Sequence, residues 1–264
     1  MILRVSGIFR WLALCALCWA SSGCAAQTTV HFEGEITDES VARFSDLLAS
    51  SEYQSAQWVE ITSAGGDALA GMKMARLIRY RNLGVRVRGY CVSACAQYVF
   101  LAARNRHVLD GGVVLFHDNL AMIWQLHKNG GSKDGEATFA PLAVKESEFM
   151  SEIGAKSTLT KLSVTGLEPV CIYDDVRFQK NDPRRCGYAS RYVAYAVPRE
   201  IIGELVGELP TGHWPRTKTE LLSDLSKLPF NSRFTVNWLP NATRQNWRIF
   251  GKDSLNRCPA GLLP

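Results

Sequence analysis

Residues 61–72 read Ile-Thr-Ser-Ala-Gly-Gly-Asp-Ala-Leu-Ala-Gly-Met, and this stretch decides the fold. The residues before it, Gln57–Thr62, combine β-branched and aromatic side chains and predict a strand, whereas Leu69 and Met72 recur at helical spacing. Between strand and helix, Ser63–Asp67 makes a turn whose glycine pair leaves backbone N–H groups unobstructed by side chains. A strand that feeds directly into a helix in this way predicts a layered α/β protein.

The same alternation continues on both sides of this unit. A strand, a helix and further strands are predicted in order, and Gly89 is predicted to end the third strand. The predicted elements are strand Thr29–Ile36, a helix from Asp38, strand Val85–Arg88, buried helix Ser93–Ala103 and short strands at 108–109 and 113–116. The order predicts one α/β domain over this part of the chain.

Beyond residue 117 the pattern is weaker but still organised. It predicts a glycine-rich loop at Asn129–Gly135, a helix at Pro141–Ile153, a strand at Tyr192–Val197 and a helix at Pro198–Val206. From residue 208 proline and tryptophan are frequent, and aromatic residues at this density usually need burial. The sequence therefore predicts a main domain at 27–207 and, at 208–264, an extension packed on it.

The first 26 residues have the features of a signal peptide. Arg4 and Arg10 precede the apolar run Trp11–Ala20, which is shorter than the about 20 residues that cross a bilayer. Small residues follow: Ser21–Cys24 resembles a bacterial lipobox without its leading Leu, and Cys24–Ala26 suits an ordinary signal peptidase equally well. We therefore expect a periplasmic or secreted protein, either soluble or held at the membrane as a lipoprotein by a lipid on that cysteine.

Composition limits the classes of function. Hydrophobic residues make up 47% of the 264 residues and charged residues 21%, which supports a large core and excludes a disordered chain. The formal net charge of +5 is small and scattered, and two arginines leave with the signal peptide. We therefore expect no nucleic-acid partner.

The cysteines indicate an oxidised protein, because an exported chain can form disulfides. Cys171 and Cys186 bracket a polar segment rich in Asp and Asn, and we favour a bridge that closes this loop. A second pair, Cys91 and Cys95, leaves two interpretations open: a bond between the two, or buried thiols at a helix start, with the second favoured.

The second cysteine pair could also bind zinc. Cys91 and Cys95 have His107 and His117 near them in the sequence. A second close-spaced pair of ligands, which structural zinc sites usually have, does not accompany them. We therefore expect no metal site and no cofactor.

Ser93 and His117 form a candidate nucleophile and general base. Ser93 follows Gly89 at a strand-to-helix junction, where a nucleophile on a sharp turn would sit, and the Ala94 N–H is available as an oxyanion donor. His117 ends an apolar strand and can accept a proton. Taken singly, Ser93 could be a helix N-cap and His117 a core histidine.

Together these segments resemble the proteolytic subunit of Clp protease and its relatives of the ClpP/crotonase fold, which include signal peptide peptidases. In that family a strand ends in Ser-x-Gly-Gly before a helix containing Gly-Met, matched by Ser63–Gly66 and Gly71-Met72. The nucleophile follows a glycine by four residues, matched by Gly89 and Ser93, and the base follows about 25 residues later, matched by His117. The signal peptide and the Cys-x-Ser-Ala-Cys segment are similar to predicted periplasmic ClpP-like bacterial proteins.

The resemblance implies a repeated ββα superhelix with a C-terminal appendage and a serine protease site. The N–H groups of Gly66 and Ala94 would form the oxyanion hole. The acid of the family's triad maps near Tyr188, which carries no carboxylate. We take Asp175 as the replacement, from the acids of the preceding loop (Asp174, Asp175 and Asp182).

Three functions fit these observations. The first, which we favour because Ser93 and His117 are both present, is an exported hydrolase that cleaves peptide bonds in peptide or protein substrates. The second is a catalytically inactive ClpP-like binding protein of the cell envelope, which the missing acid favours. The third, an acyl-CoA enzyme, conflicts with export. A homo-oligomer fits the family, whereas no ATPase partner is expected outside the cytoplasm.

Overall fold

Strands and helices alternate along the chain in the computed structural model, which describes residues 28–117, 119–129, 133–156, 168–171, 186–189, 194–229 and 236–238. The strands are β1 (Thr29–Glu33), β2 (Trp58–Ser63), β3 (Gly84–Val92), β4 (Arg106–Val108), β5 (Val113–Leu115), β6 (Glu168–Cys171), β7 (Cys186–Ala189), β8 (Ala194–Ala196), β9 (Thr211–Gly212) and β10 (Val236–Trp238). The predicted signal peptide lies outside the described residues.

Helices connect the strands of the first half and dominate the second. They are α1 (Asp38–Ala49), a 3₁₀ turn (Ser51–Tyr53), α2 (Ala68–Tyr80), a π helix (Cys95–Phe100), α3 (Leu120–Asn129), α4 (Lys133–Glu152), α5 (Arg199–Val206) and α6 (Lys218–Leu225). Thr37 caps α1 and Asp67 caps α2, each with a side-chain oxygen that accepts a backbone N–H. Among the helices that the structure describes, none is both long and apolar enough to span a membrane.

The main sheet is parallel. Its order is β1-β2-β3-β4-β9, and β5 also pairs with β3. Parallel strands need crossover connections, which α1, α2 and the π helix provide. The prediction of an α/β protein is therefore confirmed as a mixed α/β chain with a mostly parallel sheet.

Strand β3 divides its pairing between two neighbours. Its first half pairs with β4, and its last three residues, Tyr90–Val92, pair with β5. The change occurs at a bulge, because Ile61 faces Val87 while Ser63 faces Cys91, and Gly89 takes a φ of 71° inside it. The prediction that the strand ends at Gly89 was wrong, since this glycine bends the strand without ending it.

The core lies between the sheet and the helices. The π helix is buried along its whole length, which confirms the predicted buried helix, and α2 packs against it. Gly71 of α2 permits this packing, because a Cβ there would lie 3.0 Å from the Tyr98 ring and 3.2 Å from the Ala94 Cβ. Close packing here holds the segment after residue 93 in place.

Helix α4 starts earlier than predicted. It begins at Lys133 and contains Pro141, so the prediction of a loop reaching Gly135 was wrong. Packing against α3 outweighs the hydrogen bond that Pro141 cannot make. The His127 ring stacks on Phe139 at 5.1 Å between centroids, and it leaves no room for a side chain at Gly135.

The residues after 208 pair with strands of the preceding domain in two separate sheets. Strand β9 pairs with β4, and the Trp214 indole N–H donates to the Val197 carbonyl at 2.8 Å. Strand β10 pairs with β8, and β8 contacts the end of β5 through a bridge between Phe116 and Tyr195. The predicted strand and helix at 192–206 appear as β8 and α5.

Cys171 and Cys186 are register partners in the antiparallel pair of β6 and β7. Partners in such a pair have Cα atoms about 4.5 to 5.5 Å apart, a separation that a disulfide spans. We expect peptide mapping of the unreduced protein to recover the two linked. The C171A/C186A variant should lose about 3 kcal/mol of unfolding free energy, since the bridge closes a loop of about 15 residues. Recovery of both as free thiols would contradict the prediction.

Candidate active site

Ser93 lies on a sharp turn between β3 and the π helix. Its φ of 58° places it in the left-handed region, which non-glycine residues rarely enter. Two backbone hydrogen bonds hold the turn: the Ser93 N–H donates to the Leu115 carbonyl at 3.1 Å, and the Gln97 N–H donates to the Ser93 carbonyl at 2.8 Å. A residue held in this conformation points to a functional constraint.

His117 reaches Ser93 because β5 lies beside the end of β3. The two side chains are in hydrogen-bond contact, with 2.5 Å between Ser93 Oγ and His117 Nε2. The Gln97 side-chain amide donates to the His117 carbonyl, so the helix after the serine also holds the backbone of the histidine. His117 has further interactions beyond this hydrogen bond. The predicted nucleophile and base thus meet as a general-base mechanism requires.

Gly65 fits against the serine turn. A Cβ at this position would lie 2.6 Å from the Ser93 Cβ and 2.9 Å from the Ala94 nitrogen, and its φ is 94°. The glycine therefore lets the loop after β2 approach the nucleophile closely. Only a residue without a side chain allows this approach.

Gly66 and Ala94 carry the predicted oxyanion donors. The N–H groups on either side of Gly66 are occupied: that of Gly65 donates to Ser63 Oγ at 3.0 Å, and that of Asp67 donates to the Ile36 carbonyl at 2.8 Å. Within the described residues, the N–H groups of Gly66 and Ala94 have no backbone carbonyl as partner. Backbone N–H groups without a carbonyl partner beside a nucleophile can stabilise a developing negative charge, and that of Ala94 directly follows Ser93.

The two cysteines beside Ser93 form a disulfide with each other. Cys91 is the second-last residue of β3 and Cys95 the first of the π helix, and their Cα atoms are 5.3 Å apart. The favoured interpretation, two buried thiols, was wrong, because the turn around Ser93 brings the Cα atoms within bonding range. Oxidised sulfurs are not thiolates, so the zinc alternative with these cysteines also fails.

The remaining candidate residues fall into two groups. Asp175, the other acids of segment 172–185 and Cys24 lie outside the described residues, so the third member of the site stays a prediction. Lys73, which follows the glycine turn on α2, lies on the surface and binds Asp38 at 2.7 Å. His107 hydrogen-bonds Thr211 at 2.9 Å.

Sequence reasoning missed a buried carboxyl group behind the site. Glu146 of α4 is fully buried. Its carboxyl group accepts a hydrogen bond from the Tyr98 hydroxyl at 2.6 Å and one from the Ala121 N–H at 2.8 Å. Tyr98 belongs to the π helix and Ala121 to the first turn of α3, so Glu146 ties together the segments that follow Ser93 and His117. Glutamates are common on helices, and the only signal in the sequence is the apolar spacing of its neighbours.

Burial raises the pKa of Glu146 above its ordinary value of 4.5, and the hydrogen bonds from Tyr98 and from the N–H groups of Ala121 and Leu120 oppose this. Its contribution to stability is therefore complete below that value and is lost as the pH rises through the raised pKa. We expect E146Q, which does not titrate, to lack this decline, whose slope is at most about 1.4 kcal/mol per pH unit. Urea unfolding from about pH 4 to 8 tests this, and parallel curves for wild type and variant would contradict it.

The comparisons with known proteins find similarity among the solved structures. No protein-family model and no curated protein matches the chain. A mutant ClpP1 from Listeria monocytogenes is similar at 22% sequence identity and a TM-score of 0.36, over 47% of this chain and 71% of the other.

Proposed function

We propose that the protein is an exported serine peptidase with a ClpP/crotonase-like core of repeated ββα units and a C-terminal extension. The observation that carries this proposal is the contact between Ser93 and His117, with the serine on a left-handed turn. The three ordered motifs that resemble the Clp protease subunit support it independently. If Ser93 were only a helix N-cap and His117 only a core histidine, the two side chains would not need to meet.

The reaction follows from the positions of these groups. Ser93 Oγ attacks the carbonyl carbon of a peptide bond while His117 Nε2 takes the hydroxyl proton. The carbonyl oxygen becomes an oxyanion, which the N–H groups of Gly66 and Ala94 stabilise. His117 then gives the proton to the leaving amine, which departs. Water, whose proton His117 takes, attacks the acyl carbon; the proton passes to Ser93 Oγ as the ester bond breaks and the carboxylic acid product leaves. To take the proton in each step, His117 must be in its neutral form.

Asp175 is the proposed orienting acid of the histidine. A carboxylate that holds the imidazole in the correct tautomer raises turnover by several orders of magnitude. The proposed substrates are peptides or proteins outside the cytoplasm, in the periplasm or beyond it, with Cys24 as the proposed lipid attachment site. There the enzyme acts without an ATPase partner, as a single chain or a homo-oligomer.

The test is covalent labelling of the protein lacking residues 1–26 with a fluorophosphonate. Serine attack displaces fluoride and leaves a phosphonyl group on Oγ, so intact mass shows one adduct per chain. S93A should not label, whereas the matched control S223A, which changes an exposed serine of α6, should label like wild type. Absence of an adduct on the folded wild type would favour the binding protein of the cell envelope.

A further inference from the structure

We propose that the Cys91–Cys95 disulfide is a positioning element of the active site, which holds Ser93 and the Ala94 N–H in their reactive geometry. This inference rests on the proposed function. The bridge encloses Val92, Ser93 and Ala94, so the nucleophile and one oxyanion donor lie within a single short ring.

Both ends of the bridge are fixed to the rest of the molecule. Cys91 faces Val114 of β5 on one side and Ser63 of β2 on the other. Cys95 begins a helix whose residues are all buried. The disulfide therefore joins the sheet to the helix across the turn and determines how the three residues between them can be arranged.

The turn needs such a restraint because its central residue, Ser93, has an unfavourable left-handed backbone conformation. A left-handed serine tends to relax to ordinary backbone angles, and relaxation rotates the peptide that carries the Ala94 N–H. Without the bridge, the backbone hydrogen bonds of Ser93 to Leu115 and Gln97 would have to hold the turn. Catalysis is sensitive to displacements of about 1 Å at this point.

Burial makes the bridge a permanent part of the site. Both cysteines have no exposed surface, and Gly65 lies against the same turn. A reductant therefore has no access to the bridge in the folded protein. The bond must form as the chain folds, which suits a protein matured in an oxidising compartment.

The test compares C91A/C95A with wild type and with V85A. Val85 is also a buried residue of β3, but it lies in the half of the strand that pairs with β4. Circular dichroism first establishes a temperature at which all three are folded. We expect C91A/C95A to lose about tenfold or more in kcat on a peptide substrate and in the rate of fluorophosphonate labelling, with KM within about twofold of wild type. V85A should keep wild-type rates. A merely structural bridge would leave kcat unchanged in both variants.

Two results would overturn the inference in distinguishable ways. If C91A/C95A labels within about twofold of wild type, the disulfide does not position the site while the peptidase proposal stands. If wild type itself does not label, the peptidase proposal fails and this inference fails with it. Should C91A/C95A not fold, C91V/C95A replaces it, because valine suits a buried strand position, and the same rates decide.

Discussion

S93A is expected to lower peptide hydrolysis by about 10⁴- to 10⁶-fold, since it removes the atom that forms the acyl bond. The change should not affect folding. Alanine keeps the Cβ, so the cost of the left-handed turn is already present in wild type, and the unfolding free energy should stay within about 0.5 kcal/mol. Turnover of a fluorogenic peptide and urea unfolding measure the two effects.

The histidine variant extends this prediction. H117A should lower turnover by a similar factor, and S93A/H117A should be little worse than either single variant, because nucleophile and base act as a unit. Multiplicative losses in the double variant would show that the two residues act separately. Unchanged hydrolysis in S93A would mean that the activity belongs to another site or to a contaminant.

G65A is expected to lower turnover by about 10²-fold or more and to destabilise the fold by about 2 to 4 kcal/mol. An added Cβ would lie 2.6 Å from both the Ser93 Cβ and the Val92 carbonyl oxygen, so one of the two turns must move. The displacement falls on the nucleophile and on the Ala94 N–H. Peptide turnover and thermal unfolding measure the loss of activity and of stability.

G111A is the matched control for this variant. Gly111 has a φ of 73°, and an added Cβ there would meet nothing within 4 Å. It should therefore cost only the about 1 to 2 kcal/mol of a left-handed alanine and leave kcat unchanged once the protein is folded. Equal activity losses in G65A and G111A would show that strain, and not contact with Ser93, explains the effect.

The parts of the fold that sequence predicts best are those governed by local pattern. The strand, glycine turn and helix of residues 57–80 need only periodicity and a cap, and the structure has them there. The contact between Ser93 and His117 was harder, since it depends on β5 lying beside β3. The order and separation of three motifs supplied this information, which periodicity alone does not contain.

The errors arise from the geometry of the turn at Ser93 and from packing between segments distant in sequence. Whether Cys91 and Cys95 bond depends on the turn angle at Ser93, and the extent of β3 depends on a second partner strand that accepts its last residues. Helix α4 continues through Pro141 because α3 covers it. Glu146 acquires its role from three segments distant in sequence. Local sequence pattern does not indicate packing between such distant segments.

Strand β9 limits how far the chain can be shortened from its C-terminal side. It covers the outer side of β4, where the His213 N–H donates to the Val108 carbonyl at 2.8 Å. Buried Arg106 donates to the Glu208 carbonyl at 3.3 Å, beyond the end of α5. A protein shortened to residue 207 would expose an unpaired sheet edge and leave a buried guanidinium short of an acceptor. Exposed edges recruit other chains, so we expect the shortened protein to self-associate more readily than the full chain.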